Sequence, residues 1–194
     1  VVEVYLMIYF TADLHFGHKN IIRAARRPFE TAEEMDTALI KNWNDRVATD
    51  DAVYILGDLT MRGPQYAMQI LHQLNGIKYF VRGNHDGFVD RLSFDRSLFQ
   101  WVKQYHKLIY RGRQFILFHY PIVEWDQAHH GSFHVHGHQH NVPSYNLKNT
   151  ACGMRRYDVG VDSNGMTPVS IEEIISFFEC PARGSDVRGD VSAE

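Results

Sequence analysis

Cysteine is scarce: only Cys152 and Cys180 occur in 194 residues, with no Cys-x-x-Cys spacing. A disulfide framework needs four or more, so the pair excludes a stapled secreted scaffold and a thiolate metal centre, and fits a reducing cytoplasm. Basic excess is missing as well. Lys and Arg number 20 against 23 Asp and Glu, giving a formal net charge of -3 and a pI near 6.5. This balance speaks against stable nucleic-acid binding, which draws its affinity from phosphate neutralisation. The longest charge-free apolar run near the start, Val4 to Ala12, falls short of the roughly 20 residues a membrane helix needs and has no basic region before it. No membrane attachment is expected. Internal repeats and linkers are also missing, so the expected organisation is a single domain over residues 1–180 and a disordered tail at 181–194, where glycine, serine and alternating charge take over. Met7 is a candidate natural start, which would make Val1 to Leu6 an upstream extension.

What the chain has in quantity is histidine. Four of its twelve histidines stand at every second position of Phe133-His134-Val135-His136-Gly137-His138-Gln139-His140. Alternate residues of a strand share a face, so the run predicts a stripe of imidazoles. Gly137 reads as a bend that releases His138 and His140 past the strand end. His134 and His136 then remain in the strand as supports for the released pair, as substrate contacts, or as plain polar residues.

Periodicity predicts the elements before that run. Val4 to Thr11, Ala52 to Leu56 and Ile77 to Val81 read as buried strands. Between them lie two helices. One opens at the capping box Thr31-Ala32-Glu33-Glu34 and carries Met35, Leu39, Trp43 and Val47 on one stripe; the other starts at Pro64, carries Ala67, Ile70, Leu71 and Leu74, and ends at Asn75-Gly76. Strand-helix-strand-helix-strand order implies crossovers feeding a parallel sheet. The second half reads as more antiparallel: a hairpin of Lys107–Tyr110 and Gln114–Phe118, a strand at Phe133–Gly137, a polar loop over Asn141–Arg156, and a last inner strand at Tyr157–Val161. Pro168 and the capping box Ser170-Ile171-Glu172-Glu173 start a closing helix.

Five polar clusters follow strand-like runs: Asp13-Leu14-His15, Gly57-Asp58, Gly83-Asn84-His85-Asp86, His119, and Gly137-His138-Gln139-His140. Ligands in open α/β sheets bind outside the carboxyl ends of strands. Mixed carboxylate, amide and imidazole donors from several elements suit a pair of divalent cations about 3.5 to 4 Å apart that clamp a displacement at phosphorus. Oxygen with imidazole suits manganese, iron or zinc better than calcium or magnesium, and ligand type alone does not choose among them; manganese is the expected cation, with iron, zinc or nickel as alternatives.

In this order, these clusters resemble the metallophosphoesterase (calcineurin-like phosphoesterase) superfamily over roughly Ile8 to Ile175. The resemblance implies an α/β fold, a two-layered mixed β-sandwich flanked by helices with the metals at the strand ends. It implies that Asp13, His15, Asp58 and His140 hold one metal, that Asp58, Asn84, His119 and His138 hold the second, and that Asp58 bridges them. It further implies that His85 protonates the leaving alkoxide, that Asp86 orients His85, and that a metal-bound hydroxide attacks phosphorus. One stretch departs from the pattern: in Gly57-Asp58-Leu59-Thr60-Met61-Arg62-Gly63, threonine and methionine replace the valine and aspartate of Gly-Asp-x-Val-Asp-Arg-Gly. Arg62 and His136 are candidate substrate contacts. His18 either touches substrate phosphate or caps the turn before Ile21.

The expected function is dinuclear metal-dependent hydrolysis of a phosphodiester, nucleotide-like substrates being favoured because a proton donor matters most for a poor alkoxide leaving group. Phosphomonoester hydrolysis is the alternative. A non-catalytic scaffold of the same fold would be expected to lose ligands, and here every one is present.

Overall fold

The computed structural model describes residues 6–179. The expected tail at 181–194, Cys180, and residues 1–5 of the expected extension lie outside the described residues.

Five strands form the first sheet, in the order β4-β3-β2-β1-β9. β1 (Ile8–Thr11), β2 (Ala52–Leu56), β3 (Ile77–Val81) and β4 (Val102–Lys103) run parallel, and β9 (Val169–Ser170) pairs antiparallel with β1. α1 (Lys19–Ala24), α2 (Ala32–Asn44) and α3 (Pro64–Leu71) are the crossovers' helices. Alternation along the strands then sorts the core into two layers. Tyr9, Val53, Ile55 and Phe80 face the helices, while Phe10, Tyr54, Leu56 and Val81 face the second sheet. On α2 the predicted stripe Met35, Leu39 and Trp43 is almost wholly buried. Each such burial is worth roughly 1.5–3 kcal/mol, well above the few tenths by which propensity separates ordinary helical residues.

The second sheet runs β5-β6-β7-β8: β5 (Tyr105–Tyr110), β6 (Arg113–Phe118), β7 (Phe133–His136) and β8 (Arg156–Asp158). β5 and β6 form the expected hairpin, turning through Arg111 and Gly112, both left-handed at φ 47° and 76° as a two-residue type I′ turn requires. Phe115, Leu117, Phe133 and Val135 close the sandwich against the first sheet. Here the structure departs from the expected antiparallel character, because β6-β7-β8 are parallel. Parallel neighbours need a long crossover, and the stretch expected to be a polar loop supplies one as α4 (Ser144–Ala151). α4 and the segment before β7 cover the outer face of this sheet, which is why His134 and His136 are buried at 0% exposure. The last expected strand is shorter than Tyr157–Val161, ending at Asp158 and passing into a single 3-10 turn at Val161–Ser163.

Both predicted capping boxes form, one completely. Before α5 (Ile171–Glu179), Ser170 N–H donates to the Glu173 carboxylate at 2.7 Å and Glu173 N–H to Ser170 Oγ at 3.2 Å. At α2, Thr31 Oγ1 accepts from Glu34 N–H at 3.1 Å, but the Glu34 carboxylate reaches one residue further back, to Glu30 N–H at 2.8 Å. Among the described residues no helix is long and apolar enough to cross a membrane.

Candidate metal centre

All five clusters meet at one end of the sandwich, where the parallel strands deliver their carboxyl ends. Backbone bonds zip the loops together: Asp13 N–H to Gly57 O at 3.0 Å, His15 N–H to Asp58 O at 2.9 Å, and Phe16 N–H to Leu59 O at 2.9 Å. Thr60, which replaces the valine of the resembled pattern, adds a bond from Oγ1 to Phe16 O at 2.7 Å. The second sheet joins through Val161 N–H to Ala12 O at 3.1 Å, and within it Gly137 N–H to His119 O at 3.0 Å holds the ends of β6 and β7 together.

The backbone is strained where these side chains emerge. Among the described residues nine non-glycine residues have positive φ, and five of them are Asp13, His15, Asp58, His138 and His140. For an L-residue this conformation costs on the order of 1–2 kcal/mol, so strain is concentrated on the candidate ligands. Gly137 follows directly on the end of β7 at His136, with His138 and His140 past the strand, and it has a second task. A Cβ there would stand 2.5 Å from Ala12 Cβ and also collide with the Asp13 carboxylate, so the position must be glycine to let the two loops approach.

Two groups of donors converge: Asp13 with His15 and His140, and Asp58 with His119 and His138, the ligand atoms of each lying within 4.8 Å of one another. Asp58 sits between them, its Oδ2 3.6 Å from His15 Nε2 and 3.7 Å from His119 Nε2. Its Oδ1 accepts from His85 N–H at 2.9 Å. Asn84 Oδ1 lies 3.1 Å from His119 Nε2 and 3.0 Å from His138 Nδ1, in the second group. Carbonyl and carboxylate acceptors fix two tautomers. His119 Nδ1 faces Leu56 O at 2.7 Å and His140 Nδ1 faces Asp162 Oδ2 at 2.8 Å, so both rings carry hydrogen on Nδ1 and offer the Nε2 lone pair to the centre.

The donor set fits cations on evidence internal to the site. Asp13 Oδ1 and both ring nitrogens of His15 are buried without any hydrogen-bond partner, whereas the great majority of buried polar atoms in native proteins have one. Burial, then the neighbouring carboxylates Asp158 and Asp58, push the Asp13 pKa well above the ordinary range. Burial, then the neighbouring rings and Arg27, lower His15 to about 2. A bound cation relieves both penalties, because it favours the ionised carboxylate and the neutral imidazole.

His85 is exposed, its ring 5.6 Å from that of His15. Asp86, expected to orient His85, is wholly buried and spends its carboxylate on backbone amides: Asp58 at 2.8 Å, Leu59 at 3.0 Å and Gly83 at 2.7 Å. These bonds lock the Gly57-Asp58 turn onto the Gly83-Asn84 turn. Burial raises Asp86 to about 6 against the opposing amide bonds. His18 is half-buried, 5.5 Å from the His15 ring; its side chain caps nothing, and the turn is closed by its carbonyl, which accepts from Ile21 N–H at 3.2 Å. Arg62 is exposed and lies 4.7 Å over the Tyr66 ring. His136 is enclosed, with Nδ1 on Gly137 O at 2.9 Å and Nε2 by Tyr145 Oη at 3.3 Å. His134 bonds Ile116 O at 3.1 Å and accepts from Ile122 N–H at 3.2 Å.

Three residues behind the site escape motif reasoning. Arg27 and Asp162 form a buried pair against His140, and Asp158 lies close to Asp13, held by Asn141 Nδ2 at 2.7 Å and Gly160 N–H at 2.7 Å. Asp162 carries the same signal as the other clusters, a polar residue directly after an apolar strand-like run.

Comparison with known proteins agrees with this geometry. The sequence profile of the calcineurin-like phosphoesterases matches residues 6–163. An uncharacterized protein of Methanocaldococcus jannaschii, MJ1445, is 35% identical over 176 residues, covering 89% of this chain and 91% of its own length. The gene 66 protein of Mycobacterium phage D29 is 27% identical over 200 residues, covering 89% and 97%. Among solved structures, AQ665 from Aquifex aeolicus, a protein of unknown function, superposes with a TM-score of 0.67 at 22% identity, over 89% of this chain and 100% of that one.

Proposed function

Because this chain belongs to the calcineurin-like phosphoesterase family, we propose that it hydrolyses a phosphodiester, nucleotide-type substrates being favoured, at the strand-end centre. Asp13, His15 and His140 would hold one divalent cation and Asp58, Asn84, His119 and His138 the other, with Asp58 shared. The cations would neutralise charge on the phosphate oxygens and make water a competent nucleophile near neutral pH. The single observation that carries this reading is the position of the Asp58 carboxylate between the two donor groups, beside three buried donor atoms that have no partner in the protein.

The chain's own residues supply the rest. His85 is tethered to Asp58 through its backbone and leaves its ring free at the rim, where it would donate the proton to the departing alkoxide. Asp86 would act at one remove, by fixing the turn from which His85 and Asn84 project. Arg62 and His18, at the same rim, would receive the non-bridging phosphate oxygens. His136 is buried, and its bond to Gly137 O would make it a support for the loop that presents His138 and His140 rather than a substrate contact.

Elemental analysis of the purified protein, followed by bis- and mono-p-nitrophenyl phosphate hydrolysis with manganese, tests the reading. About two cations per chain and faster turnover of the diester are expected. Faster turnover of the monoester moves the assignment to a phosphomonoesterase. Full metal occupancy with no turnover of either ester or of a nucleotide panel rejects an enzyme.

A further inference from the structure

Beside His85 lies a cavity of about 200 Å³ walled by Thr60, Met61, Pro64, His85, Phe88 and Arg91. We infer that this cavity receives the leaving group of the substrate and that Arg91 selects leaving groups bearing a negative charge of their own, as a phosphorylated nucleoside does; the inference rests on the phosphoesterase reading above. A proton donor must come within hydrogen-bond reach of the departing oxygen, so the group carrying that oxygen extends from His85 into the space beside it. That space has two characters. Met61, half exposed, with Pro64 and Phe88, offers apolar contact. Arg91 offers the charge.

The acids near Arg91 in sequence are engaged elsewhere and leave this charge available. Asp90 is taken by two other arginines, Arg82 at 2.6 Å and Arg96 at 3.4 Å. Asp86 is bound to backbone amides, and Asp95 accepts from Ser97 N–H at 2.9 Å and Ser97 Oγ at 2.7 Å. No acid of this segment is left for Arg91, and among the described residues its guanidinium has no carboxylate partner. The backbone that carries it is nonetheless fixed: Arg91 N–H closes the 3-10 turn Gly87–Asp90 on Phe88 O at 3.1 Å, and Phe88 is 4% exposed. A free cation on an anchored turn, lining the same cavity as the proton donor, is suited to read charge on the leaving group.

The test compares methyl p-nitrophenyl phosphate with the analogue bearing a carboxylate on the nitrophenyl ring, using metal-loaded protein. The preference for the carboxylated diester in kcat/KM should fall about tenfold in Arg91→Gln, the loss expected for one charge-assisted hydrogen bond. Arg96→Gln, which removes a charge of the same segment that is already paired, should keep the wild-type preference. An unchanged preference in Arg91→Gln, or an equal fall in both variants, overturns the subsite and leaves the phosphoesterase reading standing. If neither diester turns over, the phosphoesterase reading fails instead, and calorimetric binding of the free carboxylated nitrophenol decides the subsite: weaker binding to Arg91→Gln supports it, and equal binding overturns it.

Discussion

Arg27 grips Asp162 through two bonds, Nε to Oδ1 at 2.8 Å and Nη2 to Oδ2 at 2.9 Å, with the side chains 0% and 6% exposed. The same guanidinium donates to Asp13 O at 2.6 Å and Leu14 O at 2.9 Å, and the same carboxylate accepts from His140 Nδ1 at 2.8 Å. One ion pair therefore ties the loop after β1 to the loops after β7 and β8. Against the desolvation that raises it, bonds from His140 and Arg27 hold the Asp162 pKa below the ordinary carboxylate value.

Arg27→Met should be strongly destabilising. It leaves Asp162 as a buried charge without its partner and two carbonyls without a donor, a loss of roughly 3–5 kcal/mol by analogy with other broken buried pairs. Urea unfolding of the metal-free protein reads this directly. Cation affinity at the Asp13, His15 and His140 group should also drop about 10- to 100-fold, as when the support of a ligating histidine is removed. A calorimetric titration with manganese that matches wild type would refute the positioning role.

Asp13→Asn should have opposite effects on stability and activity. At neutral pH the ionised Asp13 carboxylate is disfavoured by burial and by Asp158 and Asp58, so the neutral amide should make the metal-free protein more stable than wild type in urea unfolding. Hydrolysis and one equivalent of bound cation should be lost together. A variant less stable than wild type in chelator would show that the carboxylate is better accommodated than its surroundings suggest.

His85→Ala should keep both cations and lose rate by about 10²- to 10⁴-fold on an alkyl phosphodiester, where protonation of the leaving oxygen is needed. On a nitrophenyl ester, whose leaving group needs no proton, the loss should be much smaller. Equal losses on the two esters would remove His85 from the role of proton donor.

Acid should loosen the outer face of the second sheet. Burial, then mutual repulsion, lowers His134 from 6.5 to about 3, and burial lowers His136 to the same value. The unfolded chain protonates these rings near 6.5 and the folded one only near 3, so their contribution is intact above 6.5, is lost as pH falls between those values, and changes no further below. At about pH 5 the loss is roughly 2 kcal/mol per ring. The stability difference between wild type and His134→Gln should therefore shrink by about that amount between pH 7 and about pH 5 in urea titrations. A constant difference would contradict it.

Much of the fold could be read from the sequence because its signals are local. The β1 to β3 crossovers follow from apolar periodicity, and the hairpin turn at Arg111-Gly112 and the capping box at Ser170 follow from residue type. α4 was illegible for a definite reason: its buried residues are Asn146 and Asn149, so it has no apolar stripe. Those amides face inward to bond β8, Asn146 Nδ2 to Asp158 O at 3.0 Å and Asn149 Nδ2 to Arg156 O at 2.9 Å. β4 and β9 are two residues each, too short for any period. At the site, the donor types and their order were visible at the strand ends. Their left-handed backbone and the support of His140 by Arg27 were not, since both arise from packing between loops remote from one another in sequence.

Each donor group draws on both halves of the sandwich: Asp13 and His15 leave β1 of the first sheet and meet His140 from the second, while Asp58 leaves β2 and meets His119 and His138. Cations seated there would act as a clasp across the seam where the two sheets open to solvent. Catalytic loading and mechanical closure would then be one event, and the free energy of one would count towards the other. Stripping the cations should let this edge breathe, with amide exchange quickening first along the loops after β1, β2 and β7, while the apolar core between the sheets stays shut.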